Sequence, residues 1–285
     1  MAKLNSLVNN WIEERPYLEE IGKLHLAINQ LLEQQEANEV SEPDWNNSLE
    51  DFKRGIPVFK AKEIDSNFVV AASSALMVLS KIAECEELPE KLKDDAKKLN
   101  TYFTENESAV SDIITGLLQE KDQLLSEHTT KAYVSNSIVW FLGWTAISYT
   151  LKPFKKALEK WQLDNGWQTN YCPTCGNLPV MAQLARSGKG RQRKLVCGCC
   201  QTSWFYKRIC CPYCETEVQE HLEVLEVEQE EDIRIDTCNN CESYIKVYTN
   251  QGEEEVLLAD YFTIHLDLLM KEKGLHKMGQ PLLTI

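Results

Sequence analysis

Four Cys-x-x-Cys pairs fall between residues 172 and 241, and they recur in register. They are Cys172–Cys175, Cys197–Cys200, Cys211–Cys214 and Cys238–Cys241. The first two pairs are separated by 21 residues and the last two by 23, so one unit of knuckle, insert and knuckle occurs twice, offset by 39 to 41 residues. Two cysteines at this spacing can bite one ion, and two such pairs complete a tetrahedron. The register therefore predicts two four-cysteine metal sites, Cys172, Cys175, Cys197 and Cys200 around one ion and Cys211, Cys214, Cys238 and Cys241 around the other. The short gap 201–210 favours this sequential pairing over a crossed one that joins the first knuckle to the third. Four thiolates suit zinc or a single iron equally well. They leave no open coordination position, so hydrolysis at the ions is not expected. Gly176 and Gly198 are expected to ease the approach of backbone N–H groups to sulfur.

Eleven cysteines would also suit a disulfide scaffold, but ten of them lie in the metal-type run. The start, Met1 to Trp11, lacks the basic and apolar segments of a signal peptide. A reducing, cytoplasmic setting is therefore expected. Three cysteines are left over. Cys85 reads as a small semi-buried residue, and Cys199 and Cys210 as neighbours of ligands that could also exchange with them. No membrane span is expected, because the most apolar segment, Val134 to Leu151, is interrupted by Ser135, Asn136, Ser137, Thr145, Ser148 and Thr150.

Two regions differ in pattern. Up to about residue 168 the apolar spacing is helical: Tyr17–Gln35, Ile64–Glu84, Pro89–Phe103, Ser111–Glu127 and Lys131–Leu158, the last kinked or ended by Pro153. Glu36–Asn47 reads as a loop. From Tyr171 short β-forming runs alternate with the knuckles, at Leu178–Arg186, Arg193–Cys197, Thr202–Ile209, Val218–Val227, Ile233–Thr237 and Tyr244–Thr249, with a turn at Ser187–Gly190. Val256–Lys273 returns to helix. The expected class is α+β: an all-α bundle (1–168), then two tandem rubredoxin-like or zinc-ribbon modules (169–210 and 211–285), the second ending in the C-terminal helix. Each ribbon is expected to have little apolar core of its own, so that metal supplies much of its folding free energy, on the order of ten kcal/mol per site.

The formal net charge is −14, and two tetrathiolate ions would deepen it. Such a chain is repelled by nucleic acid and anionic membranes unless a local basic face intervenes. One local exception exists. Between Tyr171 and Cys214 there is no Asp or Glu, while Arg186, Lys189, Arg191, Arg193, Lys194, Lys207 and Arg208 are present. Arg191, Arg193, Lys194, Trp204 and Arg208 are accordingly the candidate partner-binding residues. The competing reading is that these cations offset the thiolate charge. The acidic stretch Glu215–Asp232 reads as a solvated face. His221 and His265 lie near the metal region without a vacancy to fill, and Asp260 and Asp267 read as the solvent face of the last helix rather than as parts of a Cys–His–Asp arrangement.

The chain resembles the formate dehydrogenase accessory protein family FdhE. The resemblance rests on Cys172-Pro173-x-Cys175-Gly176-x-x-Pro179, on Cys197-x-x-Cys200 with Thr202-x-Trp204, on Cys211-x-x-Cys214, on Cys238-x-x-Cys241 with Tyr244-x-Lys246, and on Leu258-Ala259-Asp260. It covers the C-terminal part well, and extends to Ile56-Pro57-Val58 in a divergent N-terminal part. The resemblance implies a cytoplasmic, non-enzymatic maturation factor that associates with the molybdenum-containing catalytic subunit of formate dehydrogenase, with iron as the metal usually discussed. The alternatives from the residues alone are an iron redox protein and a nucleic-acid-binding zinc ribbon, with a homodimer among the assembly states left open.

Overall fold

The computed structural model describes residues 2–33, 44–60, 64–85, 88–187, 190–228, 230–252 and 255–282. The loop expected at 36–47 lies outside them up to residue 43, as do Gly188 and Lys189 of the expected turn. Contacts divide the chain into two compact units, one of residues 1–47 and 59–154, the other of residues 48–58 and 155–285. Residues 48–58 and 155–168, grouped with the bundle on sequence, thus group with the cysteine-rich part. The class is α+β.

The first unit is helical. It contains α1 (Ala2–Glu14) and α2 (Glu19–Glu33). After α3 (Leu49–Lys53), which belongs to the other unit, it continues with α4 (Ser66–Leu79), α5 (Glu90–Glu105), α6 (Glu107–Gln119), α7 (Asp122–Ala132) and α8 (Asn136–Leu151). Side-chain caps set two of the starts. Asp65 accepts from the N–H groups of Asn67 and Phe68 at 2.8 and 3.3 Å, and Ser135 accepts from Ile138 at 3.4 Å. The helix expected over 111–127 is two helices, because Glu120 turns left-handed (φ 53°) and the Lys121 N–H closes on the Gly116 carbonyl. Pro153 ends the long apolar helix in a 3-10 turn, as expected. That helix, α8, is buried nearly all round, with Trp144, Ile147 and Leu151 at 1% exposure or less. Among the described residues one helical run, Ser66–Glu84, has the length and apolar composition of a membrane span. Its Ala72, Leu76, Leu79 and Ile82 are buried within this unit.

The second unit is built on one sheet. Its strands are β1 (Pro179–Ser187), β2 (Gly190–Cys197), β3 (Ser203–Tyr206), β4 (Leu222–Glu226), β5 (Ile233–Cys238) and β6 (Ser243–Tyr248). The order is β3-β2-β1-β6-β5-β4. Each cysteine repeat makes a three-stranded antiparallel meander, and β1 and β6 join the two in parallel through Met181↔Lys246, Ala182↔Val247 and Gln183↔Tyr248. The ribbons are therefore not separate coreless modules. Val180, Ala182, Leu195, Ile235, Ile245 and Val247 are all buried, and α10 (Glu255–Phe262) and α11 (Ile264–Glu272) add Leu258, Ala259, Phe262 and Leu266. The expected single helix over 256–273 breaks at Thr263. At the first knuckle α3 and α9 (Lys155–Asp164) close around Phe52, whose ring lies 4.6 Å from both Trp161 and Trp167.

Candidate metal centres

Each knuckle is closed by a residue in the left-handed region directly after its second cysteine: Gly176 (φ 85°), Gln201 (58°), Glu215 (59°) and Glu242 (53°). This turns the chain back on itself. In the first and third knuckles the Gly176 and Glu215 N–H groups reach the Cys172 and Cys211 carbonyls at 2.9 and 3.1 Å. Gly176, expected to ease N–H groups toward sulfur, here supplies the left-handed turn, and its N–H goes to a carbonyl. Gly198 has a different role. A Cβ there would lie 2.7 Å from the Gln280 carbonyl oxygen and from Val180, so glycine admits the C-terminal segment to the second knuckle.

The eight predicted cysteines come together in the sequential pairing, each set with its sulfurs within 4.8 Å of one another. Sulfur–sulfur distances are 3.5 Å for Cys172–Cys200 and Cys175–Cys197, and 3.7 Å for Cys211–Cys241 and Cys214–Cys238. A tetrahedron of thiolates about 2.3 Å from a metal has edges of about 3.8 Å, so both sets fit one ion. Asn177 and Asn240 each send a side-chain N–H to a sulfur, Cys175 and Cys214 respectively, at 3.4 Å, and the Tyr213 N–H points at Cys211 at the same distance. Burial pushes the Cys172 and Cys197 thiols well up. Cys200 is buried too, but hydrogen bonding with the neighbouring thiols and with Thr202 holds it well down. At Cys214 burial is likewise outweighed, by Asn240 and the Thr216 N–H, which bring it to about 7. Both sets are proton-sharing thiol clusters of the kind a cation completes by displacing protons.

The two sets differ in exposure. All four sulfurs of the first belong to buried residues, whereas Cys214 and Cys241 of the second are half-buried. Cys199 and Cys210 join neither set. Cys199 Sγ lies 3.8 Å from the Gln280 carbonyl, and Cys210 Sγ lies 3.3 Å from the Cys211 carbonyl and 3.9 Å from the Tyr206 hydroxyl. Cys85 is half-buried in the helical unit. His265 pairs with Glu230 at 3.5 Å and the His221 carbonyl accepts from the Asn239 N–H; neither ring enters a thiol set.

Two of the five candidate partner-binding residues, Arg193 and Trp204, are corrected by their burial. Arg193 and Trp204 are buried, at 2% and 3% exposure. Arg193 donates to the Cys210 carbonyl at 2.7 Å and lies over the Tyr206 ring, while the Trp204 indole donates to the Thr169 carbonyl. Lys194 pairs with Glu159. Of the five candidates Arg191 and Arg208 are exposed, as are Arg186 and Lys207 of the same stretch. Through Arg193 the first ribbon grips the backbone next to Cys211. Tyr206 adds a 2.8 Å bond to Glu215, and Tyr213 reaches back to the Pro179 carbonyl at 3.1 Å.

A buried charge cluster was not anticipated from sequence. Asp260 and Asp267 are not a solvated face. Lys246, fully buried, contacts Asp260 at 2.9 Å and Asp267 at 2.8 Å, Lys277 contacts Asp260 at 2.5 Å, and the Tyr244 hydroxyl donates to Asp267 at 2.8 Å. Burial disfavours the Asp260 carboxylate, but Lys246 and Lys277 together hold it below its ordinary range. The available signal was strand periodicity, since Lys246 shares a face with Tyr244 and Tyr248 in a strand that is buried throughout.

Comparison with known proteins agrees with this picture. Residues 209–284 match the family model "FdhE, C-terminal domain". The chain is similar to the "Protein FdhE homolog" of Haemophilus influenzae, 31% identical over 140 residues, and to the "Protein FdhE" of Escherichia coli K12, 29% identical over 134 residues. These stretches cover 48% and 46% of this chain and 46% and 43% of those proteins, so the match spans about half the length of the curated relatives. The crystal structure of the FdhE protein from Pseudomonas aeruginosa shares the fold along nearly the whole chain, with a TM-score of 0.67, 18% identity and coverage of 99% of this chain and 94% of that one. The chain is thus similar to FdhE proteins, by sequence in its C-terminal part and by fold along its length.

Proposed function

We propose that the protein is a cytoplasmic accessory factor in the production of active formate dehydrogenase. It binds the catalytic, molybdenum-containing subunit and performs no catalysis of its own. The observation that carries this reading is the pair of four-thiol centres set into one sheet, in a chain similar to FdhE proteins. Such centres, once metallated, stiffen the loops that carry them, and rigidly held loop tips suit recognition of a partner. The eight cysteines of the two sets are the proposed ligands, with iron or zinc as the ion. The test is affinity purification of the tagged chain from cells that make formate dehydrogenase, with metal analysis of the same sample. The expected result is the catalytic subunit together with two ions per chain. Partners unrelated to molybdoenzymes would count against the reading.

A second reading is one-electron exchange at the second centre, favoured by the partial exposure of Cys214 and Cys241. Iron at that centre would give visible absorbance bleached by dithionite, and zinc at both centres would remove this reading. Nucleic-acid binding loses support because Arg193 and Lys194 are engaged internally.

A further inference from the structure

Beside the third knuckle lies a cavity of about 660 Å³, within the size range of ligand pockets. Its lining combines three guanidinium groups, Arg193, Arg208 and Arg234, with the carboxylates Asp236 and Glu223 and the apolar Ile209 and Val224. The charges are unevenly engaged. Arg234 pairs with Asp236, with Nε 3.0 Å from Oδ1, and Glu223 accepts from Asn239 at 3.2 Å. Arg193 forms a buried part of the lining, its Nε without a hydrogen-bond partner. Arg208 is exposed, and its side chain has no hydrogen bond or salt bridge among the described residues. Asp236, the carboxylate near it, is already paired with Arg234, so three guanidinium groups face two carboxylates here and a positive charge is left over in an otherwise acidic chain. Next to it Ile209 and Val224 are 60% and 54% exposed, a costly arrangement for apolar side chains without a partner.

The strand carrying Val224 adds a geometric argument. The two repeats run head to tail, so β4 occupies in the second repeat the place of β1 in the first. The outer edge of β1 is covered by β6 in parallel, while β4 has only β5 beside it among the described residues. An open edge offers main-chain hydrogen bonds to an extended segment, and side-chain contacts beside it supply selectivity. We propose that this cavity and the β4 edge dock an extended segment of a partner protein in which Asp or Glu neighbours large apolar residues. The carboxylate pairs with Arg208, and the apolar side chains rest on Ile209 and Val224. This site deepens, and rests on, the accessory-factor reading.

The test pans a random dodecapeptide phage library on the full-length, metal-loaded protein. Enrichment of sequences that join Asp or Glu to Leu, Ile, Val or Phe is expected. A selected peptide, made as a soluble fluorescent probe, should bind at least about tenfold more weakly to Arg208→Glu and to Val224→Asp at equal metal content, with Lys91→Glu, an exposed cation of the helical unit, unchanged. Enrichment of basic or uncharged sequences, no enrichment at all, equal affinity for the variants, or equal loss in Lys91→Glu overturns the proposal. So does displacement of the probe by millimolar inorganic phosphate, which marks a site for small anions only. The two readings separate cleanly. If Arg208→Glu loses the probe but still captures the formate dehydrogenase subunit, the site is not the client surface and the accessory role stands. If the unmodified protein captures no such subunit yet keeps its peptide preference, the accessory role fails and the site stands.

Discussion

The two cysteine centres share a register and differ in their surroundings. The first is enclosed: Cys172, Cys175, Cys197 and Cys200 are at most 1% exposed, with Gln162 bonded to Thr174 on one side and Gln280 approaching Cys199 and Gly198 on the other. The second keeps Cys214 and Cys241 partly open and has a cavity beside it. Identical ligand chemistry is thus placed once inside a core and once at a margin. The difference teaches that knuckle spacing sets coordination, while burial sets what a centre can do afterwards: hold structure, or meet a partner or another redox group. The grip of Arg193, Tyr206 and Tyr213 across the two repeats makes the second centre depend on the first.

The largest expected effect tests that asymmetry directly. Cys197→Ser should release the first ion and unfold the sheet around it, lowering the recovery of soluble protein severely. Cys241→Ser should release the second ion and leave a folded chain that retains one. Metal analysis and circular dichroism distinguish the cases, and equal damage from both would erase the distinction. Breaking the charge cluster comes next. Lys246→Met leaves Asp260 and Asp267 with Lys277 alone, which should cost about 3–5 kcal/mol in denaturant unfolding. The same cluster predicts a pH effect. The Asp260 carboxyl titrates below its ordinary range, so its contribution is complete above about pH 4 and is lost as pH falls through the depressed value. Asp260→Asn should therefore be less stable at neutral pH and show a shallower loss in acid.

Two smaller effects sharpen the coupling between centres. Arg193→Met removes the bond to the Cys210 carbonyl and should speed chelator extraction of the second ion several-fold, with the first unaffected. In the unmodified protein the second ion should leave before the first, a sequence readable by colorimetric chelation. Simultaneous release would mean that exposure does not separate the two centres.

Much of this was legible in the residues. The eight cysteines and their pairing follow from spacing, because a knuckle is a local structure. The six strands were read close to their observed positions, since each alternates or is bounded by a knuckle. Helix α1 and the Glu120 break were not read. The first is a short helix with few apolar positions, Leu4, Leu7, Val8 and Trp11 among them, and the second depends on a non-glycine residue adopting φ 53°, for which its side chain gives no cue. The knuckle-closing Gln201, Glu215 and Glu242 were equally silent. The roles of Arg193 and Trp204 were misread because basic and aromatic residues look alike on a surface and in a polar core. Only the partners Cys210, Tyr206 and Thr169 tell the two apart.

By itself the sequence determined where thiols cluster and how many centres they form, since these depend on residue types a few positions apart. Tertiary structure decided that β1 and β6 fuse two ribbons into one sheet, that Lys246 is buried among carboxylates, and that one centre is sealed while the other opens beside a cavity. Those features depend on which distant segments exclude water from one another, and no local spacing encodes that.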